Sequence, residues 1–370
     1  MKILSKIKPS RRQMENRYVM ARMRSLCKEE TKNVKKRLAS INGGYNGSKK
    51  EFNDKVLTYW KRYNQKPQKY WFDLYCNNLD SYDPRYIPDT IYYNKIIPYF
   101  NYIAINKAYR DKGMFSRLLP DVKKPETIVK NIAGQFYNGD LDQPITAEKA
   151  MQLCEAEEHL IIKPSIASGS GRSITFFDRD DPKTQTISAI FSKFQANFVV
   201  QRLVQQHPDL ARINNGSSLN TVRVFSFYFE EEVHILSTIL RMGSMNSRID
   251  NISAGGISCV IKPDGWLVDK AVNRKSKWMD AHESGIKFCD ICVPSFQRII
   301  EKVKRLHPML PYFGIIGWDF AVDSEGEPVL IEYNLIPEQN QISCGPTFGD
   351  LSEKVLDDVF LNRTRKKYFY

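Results

Sequence analysis

The chain has 370 residues, 42% of them hydrophobic and 26% charged, which suits a globular protein with a sizeable core and two or three subdomains. No apolar run approaches the ~18 residues of a membrane-spanning helix and no internal repeat occurs, so a helical membrane protein and a repeat array are excluded. The net charge of +13 is concentrated at the start, where residues 1–50 carry 15 Lys/Arg against 3 Asp/Glu while residues 51–370 carry 40 against 39, and no nucleic-acid-binding motif accompanies it.

The opening MKILSKIKPSRRQ is basic but lacks the apolar stretch of a secretory signal, so a cytoplasmic location is expected. Such a leader suits an anionic membrane surface or an acidic partner; a solvated helical face is the plain alternative. Helical periodicity runs through residues 13–75, broken by the turn-forming NGGYNGS, and Pro- and Tyr-rich loops follow from Cys76 to Asn106. This makes a helical N-terminal region, 1–105. Short strands and helices then alternate over 106–205: TIVKNIAGQFY, a helix at 146–158, HLIIKP, SITFF and NFVVQRLV. The last section, 206–370, holds the long alternations NTVRVFSFYF and VHILSTILRM joined through Glu230, Glu231 and Glu232, a helix at 293–306, a hairpin at 317–335 and a final helix at 349–362. Seven cysteines without a framework fit a reducing compartment, and the single C-x-x-C of Cys289 and Cys292, with His282 alone near it in sequence, falls short of a zinc site.

Three stretches carry chemistry. In IIKPSIASGSGRSITFF a strand delivers Lys163 ahead of Ser168, Gly169, Ser170 and Gly171; glycines let backbone N–H groups approach an anion and the lysine adds a point charge. The spacing is not that of a Walker loop, and a surface turn is the alternative. In GWDFAVDSEGEPVLIEYNL, Asp319 stands on the first strand of the hairpin, while Glu332 and Asn334 are two apart on the second and share a face. Two carboxylates and an amide oxygen are hard ligands of the kind Mg²⁺ takes while leaving positions for water and triphosphate oxygens. The alternative is that the carboxylates pair with core arginines such as Arg223 or Arg241. Between these stretches Arg223 lies on a strand face, Arg241 ends the next strand, and Arg248, Asp250, Asn251, Gly255 and Gly256 follow in a polar stretch that could equally be a surface loop. A metal set and a phosphate loop in one chain imply a nucleotide.

The order of these parts resembles the ATP-grasp superfamily, and most nearly its sugar-transfer-associated, teichuronic-acid type family of polysaccharide gene clusters. The match is carried by Asp111–Lys112, IIKP with its small-residue loop, FVVQRLV, N-T-x-R, an arginine followed by DN and GG, and D with E-x-N, over roughly residues 58–360. The resemblance implies an α+β ATP-grasp fold, two subdomains clasping ATP, with the helical N-terminal region in place of the usual α/β domain. Lys112 and Lys163 then hold the phosphates of ATP and Ser168 to Gly171 close over them. Gln201, Arg202 and Leu203 occupy the hinge that reads adenine, with Leu203 or Val204 against the ring. Asp319, Glu332 and Asn334 are the ligands of two Mg²⁺ ions, Glu332 bridging them. Arg241, with Arg223 and Asn251, serves the transferred phosphoryl group and the acyl phosphate. The hinge has Gln-Arg where many relatives have an acid, leaving His207 and Asp209 as weak ribose candidates. The implied activity is an ADP-forming carboxylate–amine ligase working through an acyl phosphate on a small-molecule sugar or amino acid in surface polysaccharide or capsule biosynthesis. Its rivals are a kinase that stops at phosphoryl transfer and a non-catalytic nucleotide-binding scaffold. No Ser-His-Asp or Cys-His nucleophile pattern is found.

Overall fold

The computed structural model describes residues 11–41, 45–139, 143–166, 174–245, 247–248 and 256–363. They form two units. One joins the residues up to Ala104 with those from Gln339, and the other spans Ile105–Glu338.

The first unit is helical. Its long helix α1 (Arg11–Ser40) buries Val19, Met23, Cys27 and Val34, whose four- and seven-residue spacings line one side, and exposes charge on the other. Further helical turns cover residues 49–61, capped by Ser48 whose hydroxyl accepts from the Glu51 N–H at 3.0 Å, and residues 69–75 and 89–100. Trp60, Trp71, Phe72, Tyr92 and Phe100 are fully buried and form an aromatic core. The segment from Gln339 joins this unit through buried Gln341, whose amide oxygen accepts from the Ile87 N–H at 2.9 Å, and through Asp358, which accepts from the Tyr99 hydroxyl at 2.9 Å.

The second unit holds two antiparallel sheets. Among the described residues, β1 (Thr127–Ile132), β2 (Gln135–Asn138), β3 (Pro144–Ile145), β4 (His159–Pro164), β5 (Thr175–Asp178) and β6 (Phe198–Arg202) pair in the order β3-β2-β1-β6-β4-β5. Helices α2 (Ala147–Glu155) and α3 (Ile187–Phe194) begin at Thr146 and Thr186, whose hydroxyls cap them. They cover one face, burying Ala150, Cys154, Ile187, Ile190 and Phe191 with Leu160, Ile162, Phe198 and Val200. Strand alternation sends Ile161, Lys163, Val199 and Gln201 to the other face.

The second sheet runs β11-β10-β9-β8-β7-β12-β13, from β7 (Thr221–Phe229), β8 (Glu232–Met242), β9 (Ile257–Ile261), β10 (Leu267–Asn273), β11 (Trp278–Met279), β12 (Ile315–Val322) and β13 (Pro328–Asn334). The expected alternations are therefore strands. The β7–β8 turn places Glu230 and Glu231 at φ of 50° and 64°, the left-handed pair a two-residue hairpin turn requires, although neither is the usual Asn or Gly. Helix α4 (Phe296–Leu306) buries Phe296, Ile299, Val303 and Leu306 with the apolar side chains of this sheet.

A hydrogen-bonded chain is buried beside the hairpin. Trp318 Nε1 donates to Ser226 Oγ at 2.8 Å, Ser226 lies 2.7 Å from His307 Nδ1, and His307 Nε2 faces the Phe313 carbonyl at 3.0 Å. The carbonyl needs a donor, so the proton sits on Nε2 and Ser226 donates to Nδ1. Burial pushes the imidazole from 6.5 down to about 4. The fold prefers the neutral ring, while the unfolded chain protonates it near the ordinary value. Its contribution is complete above pH 6.5 and is lost as pH falls toward 4, at up to about 1.4 kcal/mol per pH unit. A His307→Gln variant is expected to be less stable at pH 7 and to close that gap between pH 6.5 and 4 in thermal unfolding; a gap that stays constant would contradict this.

Candidate functional site

The site is built on the second sheet. Asp319 of β12 stands opposite Glu332 of β13 and opposite Arg223 of β7, and Arg241 of β8 stands opposite Thr221, so four neighbouring strands bring these side chains to one face. The pairing of β12 with β13 shifts after Asp319: Phe320 faces Leu330, and Ile331 is the extra residue. This bulge lets Leu330 join the apolar cluster with Phe320 while Glu332, two residues on, faces the site. Gly317 is needed nearby because a Cβ there would meet Pro337 Cβ at 2.9 Å.

Arg223 holds Asp319 by two parallel contacts, Nε to Oδ1 at 2.7 Å and Nη2 to Oδ2 at 2.6 Å, and Arg241 Nη1 lies 3.6 Å from Oδ2. The pairing of Asp319 with core arginines, the alternative left open by the sequence, is thus present. Arg223 is desolvated, which alone would favour deprotonation, but Asp319 and then Glu338 and Glu332 hold it more firmly charged. The Nε of Arg241 is buried with no hydrogen-bond partner among the described residues. Asn334 Nδ2 donates to Asp319 at 3.3 Å, and its Oδ1 accepts from Arg110 at 3.4 Å.

Glu332 has a different partner. Lys112 Nζ lies 3.2 Å from its Oε2. Burial alone would raise the Glu332 pKa, but Lys112, Arg223 and Lys163 bring it well below the usual carboxylate range. The backbone places Lys112 there. Its N–H donates to the Ser165 carbonyl at 3.0 Å, just beyond β4, and Phe115 stacks on Tyr333 at 4.7 Å between ring centroids. Asp111 accepts from the Gly113 N–H at 2.9 Å and starts the turn. Lys163, 7% exposed on β4, has its pKa pushed down to about 8 by burial and by Lys112, with Glu332 opposing.

The hinge residues separate. Gln201 is buried, and its Nε2 donates to Thr127 Oγ1 at 2.9 Å and to the Pro125 carbonyl at 3.5 Å. A carbonyl only accepts, so the amide orientation is fixed. Its Oε1 is buried without a partner among the described residues. Arg202 turns outward to Glu157, at 2.7 Å, and to Glu126; this places its side chain on the surface. Leu203 is exposed at 37%, Val204 is half-buried, and His207 accepts from the Asp209 N–H at 3.3 Å at the start of a helical turn. Arg248 pairs with Asp178 at 2.7 Å and covers the Phe176 ring. Ser168, Gly169, Ser170, Gly171, Asp250, Asn251 and Gly255 lie outside the described residues. Sequence reasoning missed Arg110, although it directly precedes the Asp111–Lys112 pair, and Thr127, which orients Gln201.

Lys112, Lys163, Arg223 and Arg241 surround Asp319 and Glu332, and this excess of positive charge suits a polyphosphate. No group of three or more His, Cys, Asp or Glu able to hold a metal occurs among the described residues. Two carboxylates and an amide are instead the donor set of an ion that completes its shell with substrate oxygens and water. Each donor is engaged by a cation here, so ion and triphosphate together would exchange partners with these pairs.

The sequence profile of the sugar-transfer associated ATP-grasp family matches residues 94–345. Among solved structures, the chain is similar to D-alanine–D-alanine ligase from Bacillus anthracis, with 14% identity over 70% of this chain and 68% of that one and a TM-score of 0.38. It is similar to biotin carboxylase from Campylobacter jejuni, with 13% identity over 67% and 45% of the two chains and a TM-score of 0.41. VanG D-Ala:D-Ser ligase from Enterococcus faecalis matches at 15% identity over 73% and 62%, with a TM-score of 0.39. The chain spans less than two thirds of the length of the last two. No curated protein matches it.

Proposed function

The chain belongs to the sugar-transfer associated ATP-grasp family, and from that premise we propose that it is an ATP-dependent carboxylate–amine ligase. The observation that carries the reading is the convergence of Lys112 and Lys163 on the Asp319–Glu332–Asn334 face. Lys112 and Lys163 bind the phosphates of ATP, and Ser168 to Gly171 close over them. Gln201 offers its unpartnered amide oxygen to the exocyclic amine of adenine, with Arg202 contributing backbone alone and Leu203 or Val204 covering the ring. Asp319, Glu332 and Asn334 would hold Mg²⁺. When bound, the metal neutralises phosphate charge and polarises the transferred phosphoryl group.

The substrate carboxylate attacks the γ-phosphorus to give an acyl phosphate and ADP. The amine then forms the C–N bond as the C–O bond to phosphate breaks, phosphate leaves with a former carboxyl oxygen, and the nitrogen loses a proton. Arg241, whose Nε has no protein partner among the described residues, donates to the transferring phosphoryl group, and Arg223 and Asn251 are assigned to the same group. The protein supplies position and charge and forms no covalent bond of its own. The family description, sugar-transfer associated, supports a sugar as one substrate; an amino acid as the other, in surface polysaccharide assembly, completes the proposal. The basic N-terminal region would bring the enzyme to the inner face of the membrane.

The test is capture of the activated carboxyl. With ATP, Mg²⁺, hydroxylamine and a panel of uronic acids and amino acids, hydroxamate should form in step with ADP for at least one acid. A phosphorylated product with no hydroxamate would make the protein a kinase.

A further inference from the structure

α1, in the helical unit, carries a row of exposed cations. Arg24, Lys28, Lys32 and Lys36 follow one another at four-residue intervals, and all are exposed. Residues i and i+4 are neighbours on a helix surface and each such step turns about 40° around the axis, so the four make a slowly winding stripe over about a third of the circumference, roughly 18 Å long. Arg17 and Lys35 lie on the same side, and Glu29 is the one exposed acid among the described side chains of α1. Like charges at i,i+4 oppose helix formation, and none of the four has an ion pair among the described residues. The opposite side is anchored: Val19, Met23, Cys27 and Val34 are buried, and Asn94 Nδ2 lies 3.0 Å from Cys27 Sγ. The helix therefore cannot roll its cations away, and the stripe stays on the side opposite the buried residues.

We propose that α1 lies lengthwise along this row on an anionic phospholipid surface. This deepens the membrane reading by naming the contact and does not depend on the ligase chemistry. Because the stripe covers only about a third of the circumference and the stems of lysine and arginine are long and flexible, all four charged heads can reach one flat anionic surface together. Three of the four cations are lysines, point charges without the planar fork that favours nucleic-acid recognition. Tyr18, 55% exposed on the same side, offers the amphipathic ring that settles at a bilayer interface.

The full chain should partition onto vesicles of roughly one third phosphatidylserine in phosphatidylcholine, less so as salt rises. K28Q/K32Q/K36Q should weaken this about a hundredfold, at roughly fivefold per cation. Its ATP turnover should be unchanged and its thermal midpoint no lower, because the repulsion along the row is relieved. K28R/K32R/K36R should retain binding. K183Q/K262Q/K287Q, which makes the same charge change on exposed positions elsewhere, should also retain it. Equal binding by the row variant and the parent would overturn the proposal, as would equal losses in the row and control variants. Unchanged binding in the row variant with loss on deleting residues 1–12 would assign the contact to the leader and leave the membrane reading standing. A preference for duplex nucleic acid over vesicles, abolished by the row variant, would replace lipid as the partner.

Discussion

Glu332→Gln is expected to lower ATP turnover by a hundredfold to a thousandfold or more while the protein stays folded. Glu332 is a third exposed and meets Lys112 at 3.2 Å, so the amide keeps the shape of the site and removes one charge from a half-open position. On the proposed metal assignment the cost falls on binding, because an ion shared between protein and triphosphate would lose one of its two carboxylates. Asp319→Asn should behave differently. Asp319 is 3% exposed and anchors Arg223, itself 14% exposed, so the amide leaves a nearly buried guanidinium without its anion, at about 3–5 kcal/mol. Activity and stability should fall together in this variant. Turnover in Glu332→Gln that stays near normal at limiting Mg²⁺ would remove the metal assignment; a thermal midpoint unchanged in Asp319→Asn would remove the structural role given to the Arg223 pair.

Lys163→Met should abolish detectable activity and weaken ATP binding at least a hundredfold, yet leave the free protein as stable or more stable. The lysine is buried, and its ammonium is disfavoured by that burial and by Lys112, so a thioether of similar length removes a desolvated charge rather than a favourable contact. The sign of the pH effect follows. Lys163 is charged below its pKa of about 8, so nucleotide affinity of the parent should decline as pH rises past that value, and the Met variant should lack this step. A Met variant that binds ATP normally would place the phosphates elsewhere.

Much of the site was legible because strand alternation reports faces. Asp319, Glu332 and Asn334 stood out as polar residues in an apolar hairpin, Arg223 as a cation on a strand face, and Lys163 as the charged end of HLIIKP, which is strand β4 residue for residue. What alternation does not report is pairing. The extra residue at Ile331, which separates Leu330 from Glu332, depends on the register with β12. The contact of Lys112 with Glu332 joins residues far apart in the chain, and local pattern carries no trace of it. The same holds for His307, which reads as one more residue at the end of a helix yet is buried against Ser226. The segment from Gln339 gives no local sign that it joins the N-terminal helices; Gln341 and Asp358 make that link through polar side chains buried by the fold itself. Arg202 shows the limit of motif position. Gln201 and Arg202 are neighbours in the hinge, but alternation sends one amide inward and one guanidinium to surface acids.

The fate of one oxygen tests the ligase account most directly. Take the acid that gives hydroxamate, label its carboxyl group with ¹⁸O, and supply the accepting amine with ATP and Mg²⁺. The oxygen that attacks the γ-phosphorus leaves with it when nitrogen adds, so each phosphate released should carry one labelled oxygen. Unlabelled phosphate, or a stable phosphorylated product with no phosphate released, would contradict the account.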